Sequence, residues 1–300
     1  MKLKKRLFIA TVTGIILGSS LVGCNTTQEI VTEDVINKDV TQSEEQLEYS
    51  NLVDSKTQEE VKTRLIKAGI PAENAELFIK WVNEYNSNVE SADSFKEGFT
   101  LYNGSEINYD DVYLRTDKET NKDTARMDTN CRLTAGLLMK DLVTVGQYND
   151  EADNYLMFDV QAIQEDSKYD VLKADYQKYV TLFNPVTVEA GTDLTNHIAQ
   201  IQTEWENRNI VFDEHANVSL ITLFLHDPVE NKRFVGHTGV LVEDEEGFVF
   251  VEKYASVLPY QVTKFNSEQE VVQYLLKRGD IMGDGSEGAP IVMRNATVIS

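Results

Sequence analysis

Three residues in this 300-residue chain have the types that thiol chemistry requires: Cys131, His237 and Glu252. A thiolate is the attacking group. An imidazole that titrates near neutrality takes up the thiol proton and hands it on, and a carboxylate fixes its tautomer and steadies the imidazolium. The chain has two cysteines, and Cys24 closes a hydrophobic leader. Cys131 is therefore the thiol left for chemistry within the folded part.

The elements needed to bring these groups together can be read from local pattern. Asp128-Thr129-Asn130 are three residues of capping type. The run Leu133, Leu137, Met139, Leu142 and Val145 then recurs at helical spacing, which predicts a helix over Arg132–Val145 with Cys131 in its first turn. Unpaired N–H groups and the positive dipole end favour an anion there, lowering a thiol pKa and offering support to an oxyanion. The bland alternative is a small cysteine packed in a core. Asn130 is a candidate oxyanion donor, with helix capping as its other role.

His237 lies in Gly236-His237-Thr238-Gly239-Val240, inside a strand-like run from Arg233 to Glu243. Glycines weaken strands and persist where a ligand or another backbone must come close. A second run, Phe248 to Ala255, follows the turn sequence Asp244-Glu245-Glu246-Gly247. A tight turn that sets Asp244 opposite Gly247 puts His237 opposite Tyr254, with Glu252 diagonal on the same face. A one-residue slip would offer Lys253 instead. Glu252 is otherwise an odd residue in a run of Phe and Val.

Around this core, Thr57–Ala68 and a segment opened by Pro71 and running to Asn86 read as helices, a helical N-terminal element over 56–92. Asp93–Asp128 reads as irregular. Asp117, Glu119, Asn121 and Asp123 have the alternate spacing of a calcium loop, but the turn glycine and the closing glutamate are missing, so a solvated loop is expected. Thr192–Arg208 reads as a helix, and Val218–Leu225 as a buried strand. Helices followed by an antiparallel meander give an α+β class, helices packed on one antiparallel sheet.

The N-terminus reads as a targeting segment. Lys2, Lys4, Lys5 and Arg6 precede an apolar stretch from Leu7 to Leu21 that is too short and too Gly/Ser-interrupted for a comfortable membrane span. It ends in Leu21-Val22-Gly23-Cys24, which resembles a bacterial lipobox. The resemblance implies a signal peptide over 1–23, lipid on the Cys24 sulfur, and a chain anchored to the outer leaflet of the cytoplasmic membrane rather than spanning it. Residues 24–55 are polar and are expected to form a disordered tether, leaving 56–300 as the folded domain. The formal charge is −22. Without residues 1–23, which hold four basic and no acidic residues, it is −26. Such a surface excludes nucleic acid as a partner.

The order Cys, His, polar residue resembles papain-like enzymes, in particular the NlpC/P60-like cell-wall peptidases. The matching residues are Asn130-Cys131-Arg132, Gly236-His237-Thr238-Gly239-Val240 and Glu252. The chain departs from that pattern in having Glu as third residue, where the family typically has His, Asn or Gln. It also has about a hundred residues between Cys and His, so Tyr148–Glu214 would form an inserted helical region. A closer likeness is to the DUF4300 family. It rests on Thr129-Asn130-Cys131-Arg132, Val235-Gly236-His237-Thr238-Gly239-Val240-Leu241-Val242, Phe250-Val251-Glu252-Lys253, Pro259-Tyr260-Gln261 and Lys264-Phe265. This likeness implies a lipid-anchored protein of a Gram-positive bacterium with a papain-like core, and it implies no substrate.

Other candidates carry less. Tyr260 and Gln261 are candidate groove-lining, substrate-binding residues, with a core Tyr and a solvated Gln as alternatives. His197 lies on an amphipathic helix face, His215 in a polar loop, and His226 before the turn Asp227-Pro228. No CxxC or HxxxH pair is present, so neither a metal nor a cofactor is expected. Gly279–Gly288 matches no phosphate motif. The function expected is thiol-dependent hydrolysis or acyl transfer at an amide bond, in a cell-wall or surface peptide. The competing reading is a non-catalytic peptide- or glycan-binding protein of the same fold, and a third is a structural or adhesive surface protein.

Overall fold

The apolar runs after residue 217 build the middle of one large antiparallel sheet. In the computed structural model the described residues are 46–114, 116–117, 122–123, 129–146, 151–279 and 287–300. The leader, Cys24, most of the tether and most of the calcium-like loop lie outside them. In chain order the elements are β1 (Gln46–Ser50), α1 (Ser55–Lys67), α2 (Ala72–Asn88), β2 (Val89–Ser91), β3 (Thr100–Asn103), β4 (Tyr113–Leu114), β5 (Thr116–Asp117), β6 (Lys122–Asp123), α3 (Cys131–Met139) and β7 (Val143–Thr144). Then come α4 (Met157–Glu165), α5 (Asp170–Lys173), α6 (Tyr176–Phe183), β8 (Val186–Thr187), α7 (Leu194–Asn207), β9 (Val211–Phe212), β10 (Val218–Asp227), β11 (Lys232–Asp244), β12 (Gly247–Lys253), β13 (Tyr260–Phe265), α8 (Glu268–Lys277), β14 (Ile291–Arg294) and β15 (Thr297–Val298).

The main sheet runs β15-β14-β10-β11-β12-β13-β1-β3, with β8 pairing β11, and every pairing is antiparallel. Side chains that alternate along the central strands divide between two cores. Leu220, Val240, Val242, Val249, Val251 and Val262 pack with α1, α2, α3 and the helices after it. Ile221, Leu223, Leu241 and Phe250 pack with Val271, Val272, Tyr274 and Leu275 of α8. Both faces are covered, so these strands read as near-continuous apolar runs. The class is α+β.

Three expectations change. The tether does not reach Ser55: Gln46–Ser50 is a strand pairing β13 and β3. Leu47 and Tyr49 are buried there, so sparse apolar residues in a polar stretch gain a sheet edge to pack on. The helix expected over Arg132–Val145 stops at Met139. Beyond it, β-branched Val143 pairs with Phe212, and the Leu142 carbonyl accepts from the Asp213 N–H. A tertiary pairing overrides helical periodicity here. Finally, Asp93–Asp128 is not wholly irregular, because Thr100–Asn103 extends the main sheet.

Candidate functional site

Cys131 is the first residue of α3, and Asn130 is its cap: the Asn130 Oδ1 accepts from the Leu133 N–H at 2.9 Å. Asn130 Nδ2 donates to Asp159 of α4. Both ends of this amide thus have structural partners, and helix capping is one of its roles in the structure. Asp159 is fully buried. It also accepts from Arg132 Nε at 2.5 Å and from the Tyr179 hydroxyl at 3.0 Å. Arg132 Nη1 in turn donates to the Val235 carbonyl at 3.0 Å, two residues before His237. One carboxylate thereby ties the start of α3 to the histidine strand.

His237 shares its face of the sheet with Glu252, as a tight Asp244-to-Gly247 turn requires. Asp244 pairs with Gly247, and the register continues to Val240 opposite Val251. His237 Nε2 lies 2.6 Å from Glu252 Oε2. Lys253, offered by the slipped register, points elsewhere: its Nζ donates to the Leu258 carbonyl at 2.6 Å and lies 3.6 Å from the Tyr85 ring centroid. The flanking glycines serve packing. A Cβ on Gly239 would stand 2.5 Å from a Phe250 ring carbon and 2.7 Å from the Val251 carbonyl oxygen.

Glu252 is fully buried and surrounded by donors. Arg278 Nη1 donates to Oε2 at 2.5 Å, and the Tyr274 hydroxyl donates to Oε1 at 2.6 Å. Gln261 Nε2 lies 3.4 Å from Oε1, and its amide also bonds the hydroxyls of Thr263, Tyr274 and Tyr109. Arg278 is fixed as well, through the Tyr254 carbonyl at 2.9 Å and the Tyr254 ring, 3.7 Å from its guanidinium carbon. Tyr260 and Gln261 are both fully buried, and neither lines a groove. Tyr260 packs edge-on to Phe78 and Tyr85 of α2, on the opposite face from Gln261. Strand alternation requires that split.

The thiol and the imidazole act on each other's protonation. With Nε2 committed to Glu252, Nδ1 is the ring nitrogen left for the sulfur. Electrostatics point the same way at all three groups. Burial pushes the Cys131 thiol up, but the hydrogen bond and charge of His237, together with Arg132, outweigh it and leave the pKa below the ordinary value. Burial and the nearby Arg278 cation push His237 down, yet bonding to Cys131 and Glu252 leaves it raised. Burial would raise Glu252, and Arg278 and His237 hold it below the ordinary carboxylate value. These directions favour a thiolate, an imidazolium and a carboxylate.

Both residues are buried: Cys131 is 9 % exposed and His237 2 %. Two concavities among the described residues, one lined by Gly136, Leu172 and Tyr179 and the other by Thr187, Asn196 and Gln200, include none of the three groups. Among the described residues no cluster of His, Cys, Asp and Glu could hold a metal, and no helix is long and apolar enough to cross a membrane. His197 and His226 lie together near Arg233, outside this site. The His215 N–H donates to Asp213 Oδ1 at 2.9 Å in the loop before β10.

Sequence reasoning missed Arg278, Tyr274, Asp159 and Tyr179. A signal for α8 was present: Ser267, then Glu270 three residues on, then an apolar run. Ser267 caps the helix by accepting from the Glu270 N–H. No local pattern marks Asp159 as a buried partner among so many acidic residues.

No curated protein and no solved structure matches the chain. The family described as a domain of unknown function, DUF4300, matches residues 48–299, which span both networks and all three candidate chemical groups. The chain belongs to the DUF4300 family.

Proposed function

We propose that this protein is a thiol-dependent hydrolase or acyltransferase acting on amide bonds, with Cys131 as nucleophile, His237 as general base and acid, and Glu252 as the residue that orients His237. The observation that carries this reading is the bond between His237 Nε2 and Glu252 Oε2 at 2.6 Å, with the same imidazole near enough to the Cys131 thiol to lower its pKa. Cys131 Sγ attacks a carbonyl carbon, and the carbonyl electrons move to oxygen. The first-turn N–H of Cys131 stabilises the charge formed there. His237 gives its proton to the leaving nitrogen, and a thioester to Cys131 results. Water, or an amine in the transfer variant, then attacks the thioester; His237 takes the proton and returns it to the sulfur.

The finer fold reading is a papain-like, NlpC/P60-like core with Tyr148–Glu214 as an inserted helical region. It is supported by the thiol at a helix start and the imidazole and acid on neighbouring strands. The leader and Cys24 support a lipid anchor on the outer face of the cytoplasmic membrane of a Gram-positive bacterium. A cell-wall or surface peptide is then the substrate within reach. Incubating the purified protein with peptidoglycan fragments, beside Cys131→Ala, tests the activity. Products formed by both proteins, or by neither, contradict it.

One observation favours the second reading, a peptide- or glycan-binding protein without catalysis. Cys131 as a residue is 9 % exposed, and neither concavity described above includes it. That reading expects ligand retention unchanged by Cys131→Ala.

A further inference from the structure

One stripe of α7 is polar at helical spacing: Asn196, Gln200, Thr203 and Glu204, with small Ala199 between them. The neighbouring stripe, His197, Ile201 and Trp205, is buried and holds the helix to the core. The polar stripe stands opposite Thr187 of β8 and Glu189 just beyond it. Between them lies a groove of about 340 Å³. That volume suits a small ligand. Thr187, Glu189, Asn196 and Thr203 are all exposed, so the groove is open to solvent.

β8 turns a free edge toward this groove. It pairs with β11 alone. The Val188 N–H donates to the Asn231 carbonyl at 2.8 Å. Residues 186 and 188 therefore direct their peptide groups at β11, and alternation directs those of Thr187 and Glu189 the other way. Glu189 shows this: its N–H donates to Gln200 Oε1 at 3.0 Å, and its carbonyl lies 3.0 Å from His197 Nε2. Two residues earlier, the Thr187 N–H and carbonyl have no such partner among the described residues. An unpaired strand edge is a template for another extended chain.

The side chains define what that chain carries. The Asn196 amide and the Thr187 and Thr203 hydroxyls make no hydrogen bonds among the described residues, so they are available to polar groups. Two carboxylates and no cation line the groove. Glu204 is already met by Arg208 Nε at 2.8 Å. Glu189 has no ion pair among the described residues. The formal charge of −22 adds to the same sign, favouring a cationic ligand and repelling an anionic one.

We propose that the groove between β8 and α7 binds a short extended peptide with a basic side chain. One peptide residue pairs with the Thr187 N–H and carbonyl, its amine meets Glu189, and Asn196 and Thr203 bond the flanking peptide groups. The site does not include Cys131 and does not depend on the thiol chemistry.

The test is an amide NMR titration of the full chain with acetyl-Ala-Lys-Ala-amide. Saturable shifts should appear at the Thr187, Glu189 and Gln200 amides, and acetyl-Ala-Glu-Ala-amide should bind several-fold more weakly. Glu189→Gln should weaken the lysine peptide about two- to fivefold. Thr187→Pro removes the outward N–H at a place where an edge strand tolerates proline, and should weaken it about two- to tenfold. If that variant does not fold, Ala199→Phe, at an exposed helix position, should block the groove. Cys131→Ala should bind as the unmodified protein does, which keeps this site distinct from the thiol. Shifts that do not saturate, equal affinity for the two peptides, or undiminished binding in the groove variants would each overturn the proposal. So would saturable binding of an N-acetylglucosamine oligomer with none of the lysine peptide.

Discussion

Arg278 Nη1 and His237 Nε2 meet on one oxygen, Glu252 Oε2, at 2.5 and 2.6 Å, all inside the protein. The carboxylate is therefore shared between a permanent cation and a titrating one. The guanidinium keeps Glu252 ionised, so that Glu252 remains able to hold the imidazolium.

Replacing Glu252 by Gln should destabilise the protein by about 3–5 kcal/mol, because it leaves Arg278 as an uncompensated buried charge. Arg278→Met should cost a similar amount. The double variant should cost clearly less than the sum of the two, since it removes both charges together. Urea unfolding of the four proteins measures this coupling, and strict additivity would show that the pair is not coupled.

The same carboxylate sets an acid limb. Its folded pKa is below the ordinary 4.5, so its contribution is complete above the unfolded value and is lost as pH falls through the folded one. The stability gap between the unmodified protein and Glu252→Gln should therefore narrow from about pH 5 downward. Urea midpoints taken across that range check it. His237 has the opposite sign. Raised above 6.5, it contributes fully below that value and loses its contribution as pH rises through the folded pKa.

Asp159→Asn should lower the melting temperature by several degrees. It strips a fully buried acceptor from Arg132 and Tyr179 and leaves the Arg132 charge without its partner. Because Arg132 also bonds the Val235 carbonyl, the spacing between α3 and β11 should loosen. Faster amide exchange at the start of α3 than in the unmodified protein would report this directly.

Gly239→Ala should cost about 1–3 kcal/mol by overpacking. Its Cβ meets both the Phe250 ring and the Val251 carbonyl. Phe250→Leu should rescue only part of that loss, because the backbone contact remains. Full rescue would place the whole clash in the ring.

How much of this was legible in the sequence depends on the range of the interaction that fixes each feature. The Asp244-Glu245-Glu246-Gly247 turn fixes the β11–β12 register locally, and that register brings His237 and Glu252 together. The Asp-Thr-Asn cap likewise placed Cys131 at a helix start. Arg278 was not legible, since its partner lies on a strand separated from it by β13 and α8. Tyr260 and Gln261 were legible as neighbours of the site and misread in role: strand alternation sends one ring to α2 and the amide to Glu252. The early stop of α3 reflects pairing with Phe212, far along the chain.

The central claim is that His237 makes the Cys131 thiol an unusually ready thiolate. The direct test is the pH profile of Cys131 alkylation by iodoacetamide, read at that residue by peptide mass in native and urea-unfolded protein and in His237→Asn. The native rate should reach half its maximum below the ordinary thiol value of 9.0 and exceed the unfolded rate at neutral pH. His237→Asn should move the midpoint upward, because burial is then less opposed. A native thiol that labels no faster than the unfolded chain, with a midpoint at or above 9.0, would contradict the account.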